Sequence, residues 1–299
     1  MADPKTSSEH AASDYSSSRG NWSNRLWQRF KLLYKRPSSA IGISIVLIFL
    51  TIALIGPLIA PYGENEQIVT DARQPPSVTH IFGTDRLGRD VFSRVVLGAR
   101  DILLLAGLGT VLAVIIGSTL GMFSGYRGGF IDEGFMRFFD ALLAIPALLL
   151  ALLLLGTVGP SRNSVLIVIV IVYTPIVARV VRSVILSVKS KGYVEVARTQ
   201  GESTGHILFR EILPSVTPAL TVEAALRFSY AIFLVASLGF LGVGVQPPSP
   251  DWGLMVNEAR HNVSQTPWAM YFPAAAIALL VIGVNLAADG LKKIFQAPD

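Results

Sequence analysis

Six apolar runs of roughly 20 residues dominate this 299-residue sequence and leave little choice of fold. An α-helix needs about 20 predominantly apolar residues to cross a hydrocarbon core about 30 Å thick. Within lipid every backbone N–H and C=O must be satisfied internally, and a helix does this within a single segment. The runs predict an all-α polytopic membrane protein with six transmembrane helices, at residues 40–59, 102–123, 138–158, 165–181, 218–241 and 268–286.

The charged residues indicate how such a chain is inserted. They make up 15% of the residues, against about 25% in soluble domains. If the N-terminus is inside, the cytoplasmic segments carry more than twice as many Lys and Arg residues as the outside segments, which is the bias that sets topology. We therefore predict that both termini are cytoplasmic and that the net charge of +5 does not reflect nucleic-acid binding. We expect the first run to be retained as a signal anchor, since it follows a long polar tail.

The segments between the runs divide the chain further. Residues 1–20 are rich in Ser and Ala and predict a disordered cytoplasmic tail. Residues 21–36 alternate aromatic and basic side chains at helical spacing, which is typical of an amphipathic helix at the membrane interface. Residues 60–100 and 242–267 are expected to be loops on the periplasmic or extracellular side. Helical character over 91–100 predicts a surface helix, and Asp251 is a good N-cap for a short helix that ends near Arg260. Residues 100–290 form the core domain, and a cytoplasmic tail follows at 291–299.

No motif for catalysis or nucleotide binding occurs in the chain. There are no cysteines, which excludes disulfides and thiolate metal sites. The sequence contains no GxxxxGK[ST], HExxH or GxSxG pattern. The four histidines are scattered through the tail and the loops, so we predict no metal site and no cofactor bound by this chain.

The longest cytoplasmic loop, 182–217, differs from an ordinary connector. It reads GYVEVARTQG over 192–201 and ESTGHILFREILP over 202–214. This pattern predicts two short amphipathic helices joined by a glycine-permitted turn at 201–205, with Ser203 or Thr204 capping the second helix. Small residues such as Ala197 and Gly201 would let another backbone approach closely. The residues alone are equally compatible with a surface connector that has no partner.

The 192–214 loop resembles the "EAA" loop of permeases in binding-protein-dependent ABC importers. The family pattern is E-A-A, three residues, G, nine residues and I-x-L-P, and Glu195, Ala197, Gly201, Leu213 and Pro214 occupy matching positions. Two positions depart from it. Val196 replaces the first alanine of E-A-A, and Glu211 stands in place of the isoleucine.

Three further stretches resemble the second permease of dipeptide, oligopeptide and nickel importers. They are FGTDRLGRDVFSR at 82–94, LGFLGVGVQPP at 238–248 with the following Trp252 and Gly253, and NLAADGL at 285–291. Together with the loop they extend over most of residues 30–295. The resemblance implies the type I ABC importer transmembrane fold.

The resemblance also implies a function, partners and site residues. It implies a permease in the bacterial inner membrane that forms half of a translocation pore for di- or oligopeptides. Its partners would be a second homologous permease, two ATP-binding subunits that hold ATP and Mg, an extracytoplasmic substrate-binding protein and membrane lipid. The ATPase-coupling residues carried over from the family are Glu195, Ala197 and Gly201, with Gln200, Glu202 and Ser203 near the contact and Leu213 and Pro214 closing the motif.

Charges within the predicted spans are candidates for the pore, because a charged side chain in the bilayer is costly. Glu223 and Arg227 are spaced i,i+4 on one face of the fifth run. They form either a polar pore wall or an ion pair packed inside the bundle. Tyr173, Ser229 and Tyr230 are further candidates, and Pro146 and Pro175 predict kinks.

Other functions stay open on the sequence. The same architecture would serve an importer of nickel, glutathione or another small solute. A more distant alternative is a secondary transporter driven by an ion gradient, which favours several buried ionisable residues and broken helices. A membrane-embedded enzyme is a third class, against which the missing catalytic motifs argue.

Overall fold

The computed structural model describes residues 36–295, and within them the chain is helical and forms no strands. The predicted tail at 1–20, all of the predicted interfacial helix except Arg36, and residues 296–299 lie outside the described residues. We number the main helices in chain order. They are α1 (Pro37–Ile59), α2 (Val91–Arg127), α3 (Gly129–Leu143), α4 (Ala147–Val158), α5 (Arg162–Val188), α6 (Gly192–Thr199), α7 (Leu213–Phe240), α8 (Trp252–Ala259) and α9 (Pro267–Phe295).

Five of these helices are long and apolar enough to cross a membrane: α1, α2, α5, α7 with the turns that precede it, and α9. The predicted span at 138–158 is not one continuous helix, because α3 and α4 meet at an angle of 91°. The break lies at Pro146, which has no N–H and whose ring disfavours the helical conformation of Ile145. The kink predicted there is therefore confirmed as a full break. The pair contributes a sixth crossing only if α3 and α4 together count as one span.

Helix α2 also begins earlier than the sequence suggested. Asp90 caps it by accepting a hydrogen bond from the Ser93 N–H at 2.7 Å, and the helix then runs unbroken from Val91 to Arg127. Residues 91–100 are thus the first turns of α2, not a separate surface helix. At the other end of the chain, α9 continues past residue 286 as far as Phe295.

The centre of the bundle is the contact between α2 and α5. Gly117 and Gly121 of α2 face the α5 backbone, and a Cβ at either position would lie within 3.0 Å of the carbonyl oxygen of Thr174 or Ala178. Membrane helices gain little from the hydrophobic effect against each other, since lipid tails are equally apolar, so close backbone approach supplies the packing. Around this contact Ile102, Ile169 and Ile232 are fully buried in one apolar core.

The two ends of the bundle are distinguished by α6 and α8. Helix α7 separates them, and its 28 residues span about 42 Å at 1.5 Å per residue. We call these the α6 end and the α8 end. The α8 end also carries the segment 60–90 that joins α1 to α2.

The predicted short helix after Asp251 is confirmed as α8. Asp251 caps it by accepting from the Leu254 N–H at 2.8 Å. Trp252 is fully buried, donates from Nε1 to the Val95 carbonyl oxygen at 2.9 Å, and stacks edge-to-face on Phe49. Helix α8 is therefore wedged into the bundle and is not a surface element.

The α2–α5 contact gives a test with a matched control on the same helix. We expect Gly121→Ala to destabilise the protein by about 1–3 kcal/mol, because the added methyl group meets the Ala178 backbone, which cannot yield as a flexible side chain would. Gly107→Ala is the control, since its methyl group would meet only the Phe228 ring at an ordinary 3.8 Å. The thermal unfolding midpoint of each variant is measured in detergent by gel filtration after heating. Equal midpoints for the two variants would contradict the packing argument.

Asp251 predicts a pH dependence. Burial, with a smaller contribution from Asp101, raises the pKa of its carboxyl from 3.8 to about 6, and Oδ2 has no hydrogen-bond partner among the described residues. Between pH 4 and 6 the folded state therefore holds a proton that the unfolded state has released, so stability falls as pH rises through this window, by about 3 kcal/mol in all. Asp251→Asn keeps an oxygen for the cap but does not ionise. We expect the slope of unfolding midpoint against pH to be shallower in this variant; identical slopes would refute the assignment.

Candidate functional site

Helix α6 turns one face into the protein. Val194 and Ala197 are buried on that face and pack with Ile207, Leu208 and Ile212 of the following turns. The sequence suggested that the small side chain of Ala197 would admit a partner's backbone. The structure shows instead that it admits the chain's own next turn, since the Glu202 N–H donates to the Ala197 carbonyl oxygen at 3.1 Å.

The opposite face of α6 and the turn after it are exposed. We call this the α6 surface. It consists of Glu195, Val196, Gln200, Gly201, Glu202 and Ser203. Five of these six were predicted as coupling residues, and Val196, which departs from the family pattern, is 53% exposed among them. The surface is thus compact, mainly polar and available to another molecule.

Two residues fix the turn that closes the α6 surface. Gly201 has φ +76°, a left-handed conformation in which a Cβ would meet no neighbour within 4 Å. Glycine is therefore needed here for its backbone conformation and not for space. Of the two caps the sequence offered, Ser203 is the one used: its Oγ accepts from the His206 N–H at 3.2 Å.

Side chains brace α6 against the long helices on both sides. The Tyr193 and Ser215 hydroxyl groups lie 3.0 Å apart and link α6 to α7. Arg198 donates from Nε to the Tyr126 hydroxyl at 3.1 Å and lies over the Tyr126 ring, which links α6 to the end of α2. These contacts hold α6 as a rigid part of the bundle end.

The second short helix predicted in the loop is not a separate element. One helical turn at Thr204–His206 passes into a π-helical turn at Ile207–Ile212, which runs directly into α7. The Leu213 N–H accordingly donates to the Leu208 carbonyl five residues back. Pro214 has no N–H and its ring crowds the Arg210 carbonyl, which favours this wider turn. Leu213 and Pro214 therefore form the start of α7, where Leu213 packs on the apolar core and Pro214 is exposed.

Four of the five predicted pore residues come together midway along the bundle. Arg227 Nε lies 2.7 Å from Glu223 Oε1, and the Arg227 guanidinium lies 4.8 Å from the centre of the Tyr230 ring and 5.7 Å from that of Tyr173. Glu223 and Tyr173 are buried, whereas Tyr230 is half exposed. Ser229 is not part of this cluster, because two residues along a helix place it on a different face from Arg227.

The pairing within this cluster is incomplete. Although Arg227 Nε and Glu223 Oε1 are close, both atoms lack a hydrogen bond of acceptable geometry among the described residues. The ion pair predicted from the i,i+4 spacing is thus present, but it leaves hydrogen-bonding capacity on both charged groups. Such capacity is what a pore wall needs in order to contact a charged or polar solute.

The structure adds a buried ion-pair network at the α8 end that sequence reasoning missed. Arg89 lies 2.5 Å from Asp85 and 2.6 Å from Glu258 of α8, and Arg94 of α2 lies 3.3–3.4 Å from the same two carboxylates. The network clamps the 60–90 segment and α2 onto α8. Only the Asp85–Arg89 spacing was visible in the sequence, since Glu258 follows 169 residues after Arg89.

Metal binding has no candidate site in the part of the chain that the structure describes. No group of three or more His, Asp or Glu side chains converges there. The acidic residues in the clusters above are paired with arginines instead. The chemistry available to these sites is therefore ion pairing and hydrogen bonding.

Two known protein family models match separate parts of the chain. The model described as binding-protein-dependent transport system inner membrane component matches residues 117–297. The model described as the N-terminal TM domain of oligopeptide transport permease C matches residues 24–76. The first covers the α6 surface and the cluster around Arg227, and the second covers α1.

Individual relatives agree with the family models. The dipeptide transport system permease protein DppC of Alkalihalophilus pseudofirmus is 40% identical over 89% of this chain and 87% of its own length. The glutathione transport system permease protein GsiD of Pectobacterium atrosepticum is 40% identical over 89% of both chains. The probable D,D-dipeptide permease DdpC of Escherichia coli is 37% identical over the same shares. The chain therefore belongs to the family of inner membrane components of binding-protein-dependent transport systems, as a multi-pass, non-enzymatic permease subunit of a bacterial ATP-driven importer.

Proposed function

We propose that this permease forms half of a translocation pore for di- or oligopeptides. Support comes from the relatives named above, which include dipeptide and D,D-dipeptide permeases of similar length. The glutathione permeases favour a second cargo of the same chemistry, because glutathione is itself a tripeptide. A peptide of either kind carries a free carboxylate and a free ammonium group.

One observation carries the mechanism: a continuous helix joins the α6 surface to the charged cluster. The turns from Thr204 onward and α7 form one 37-residue helix, and Arg227 lies about 20 Å along α7 from its start. Because α6 is braced onto this helix through Tyr193 and Ser215, a force on the α6 surface moves the helix as a body. Movement of α7 as a body changes the surroundings of the Glu223 and Arg227 side chains.

We assign the α6 surface to the contact with a partner ATPase subunit. The bias of Lys and Arg supports a cytoplasmic α6 end, on the side where the partner would bind ATP and Mg. The complete importer then contains this chain, a second homologous permease, two ATP-binding subunits and a substrate-binding protein that docks at the α8 end. Closure of the ATPase pair pulls α6, and with it α7, by a rigid-body shift.

The charged cluster is assigned to the wall of the pore. A dipeptide entering it offers a carboxylate to Arg227 and an ammonium group to Glu223, and the tyrosine rings exclude water around the pair. Transport of purified peptide into proteoliposomes containing the complete importer, its binding protein and internal ATP tests this function directly. Uptake that continues without ATP, or that admits nickel in preference to peptide, would refute it.

Gly201 tests the coupling role. We expect Gly201→Val to abolish most uptake, because a β-branched residue in the left-handed conformation costs about 1–2 kcal/mol and the turn relaxes by moving α6. Gly201→Asn is the matched control, since Asn tolerates this conformation and the space around the Cβ is empty. Peptide uptake and ATPase stimulation by the loaded binding protein are measured for both variants after equal assembly has been verified. Equal uptake by the two variants would show that the turn geometry does not matter for coupling.

Glu223 and Arg227 distinguish a pore wall from a structural ion pair. Removal of one charge leaves the other buried without a partner and destabilises the fold. The double variant Glu223→Gln with Arg227→Gln removes both charges. We expect the double variant to assemble normally but to take up dipeptide about tenfold more slowly, because a charge-assisted hydrogen bond to each peptide terminus is lost.

The control for this experiment is a peptide blocked at both termini. Its uptake should change little in the double variant, since it offers neither charge. If the double variant assembles and transports the free dipeptide at the wild-type rate, the pair is structural only.

A further inference from the structure

A groove of about 510 Å³ opens at the α8 end, between the last turns of α1 and the first turns of α2. The apolar wall of the groove is formed by Ala53 and Pro57 of α1 with Val96, Leu97 and Leu104 of α2. Helix α1 lies at the periphery of the protein, since only 11% of the residues in its most apolar 18-residue stretch are buried. An apolar groove on a peripheral membrane helix faces lipid unless another chain covers it.

The remaining lining residues are four charged side chains, which we call the rim. Asp101 of α2 and Arg162, the first residue of α5, form an ion pair, and the Ser249 hydroxyl donates to the second oxygen of Asp101 at 3.1 Å. Arg100 and Glu64 complete the rim. Within residues 36–295 neither of them has an oppositely charged side chain within ion-pair distance. The rim therefore presents one uncompensated cation and one uncompensated anion above an apolar wall.

The depth of the groove matches the boundary between acyl chains and headgroups. Helix α1 has 23 residues, about 35 Å at 1.5 Å per residue, which is just longer than the hydrocarbon core. Ala53 and Pro57 lie in its last two turns, and Leu54 and Leu58 beside them are more than 80% exposed. Glu64 follows the helix end, where the chain leaves the hydrocarbon region.

We propose that this groove binds a zwitterionic phospholipid with a primary amine, of the phosphatidylethanolamine class. The lipid phosphate accepts hydrogen bonds from Arg100, and its ammonium group donates to Glu64. The acyl chains lie along Leu97 and Leu104, as the apolar wall requires. An anionic lipid without an ammonium group satisfies Arg100 but places a negative charge beside Glu64, and a free phosphate leaves the apolar wall empty.

Native mass spectrometry of the complete importer tests the proposal. The importer is released from nanodiscs that contain equal amounts of phosphatidylethanolamine and phosphatidylglycerol, and the retained lipid is identified. We expect retained phosphatidylethanolamine, with about tenfold less retention in Arg100→Gln and in Glu64→Gln, because each removes one charge-assisted contact. The matched controls are Arg86→Gln and Glu66→Gln, which remove the same charges from exposed positions at the same end outside this groove.

Each other outcome overturns the proposal. Equal retention of the two lipids, or loss of lipid in the control variants as well, shows that the rim does not select the headgroup. Binding of soluble phosphoethanolamine alone shows a phosphate site and not a lipid site. Lipid retained by the isolated permease but displaced in the complete importer shows that the partner permease covers the groove.

Discussion

The close approach of α2 and α5 is the contact on which the rest of the bundle depends. In a bilayer, an apolar side chain gains no hydrophobic stabilisation when it exchanges contact with lipid for contact with another helix. The stability of the bundle therefore comes from close backbone approach and dispersion. Gly117 and Gly121 allow that proximity, and the α5 carbonyls of Thr174 and Ala178 lie where a side chain would otherwise be. With this pair fixed, α7 packs on both α2 and α5, and α1 packs on α2 and α9.

Charged groups in the same bundle are placed by a second constraint, namely that a buried charge requires a partner. At the α8 end the requirement is met by charge pairing, because Arg89 and Arg94 share the carboxylates of Asp85 and Glu258 and so fasten the 60–90 segment to α8, although Arg94 Nε has no hydrogen-bond partner among the described residues. In the middle of α7 it is met only in part, since Arg227 and Glu223 are close but poorly aligned. The first group joins segments far apart in the chain, whereas the second pair lies within one helix.

The π-helical turn at Ile207–Ile212 connects the segment after α6 to α7. It lets the chain pass Pro214 without breaking the helix, so the segment after α6 and the membrane-spanning part of α7 remain one body. Such turns recur at functional sites, where a helix has to accommodate an extra residue without ending. A partner that moves α6 therefore acts on α7 directly and needs no flexible connection.

The sequence by itself determined the class of the protein, most of its spans and the position of the α6 loop. It did so because span length, the distribution of Lys and Arg, and the spacing of Glu195, Gly201 and Pro214 are local properties of the chain. The family assignment also removes the gradient-driven transporter and the membrane enzyme that the residues alone left open. Only the tertiary structure decided that Ala197 faces inward, that Tyr173 of α5 lies beside Arg227 of α7, and that Glu258 closes a network with Arg89. Those outcomes depend on contacts between residues far apart in the chain, which no local pattern encodes.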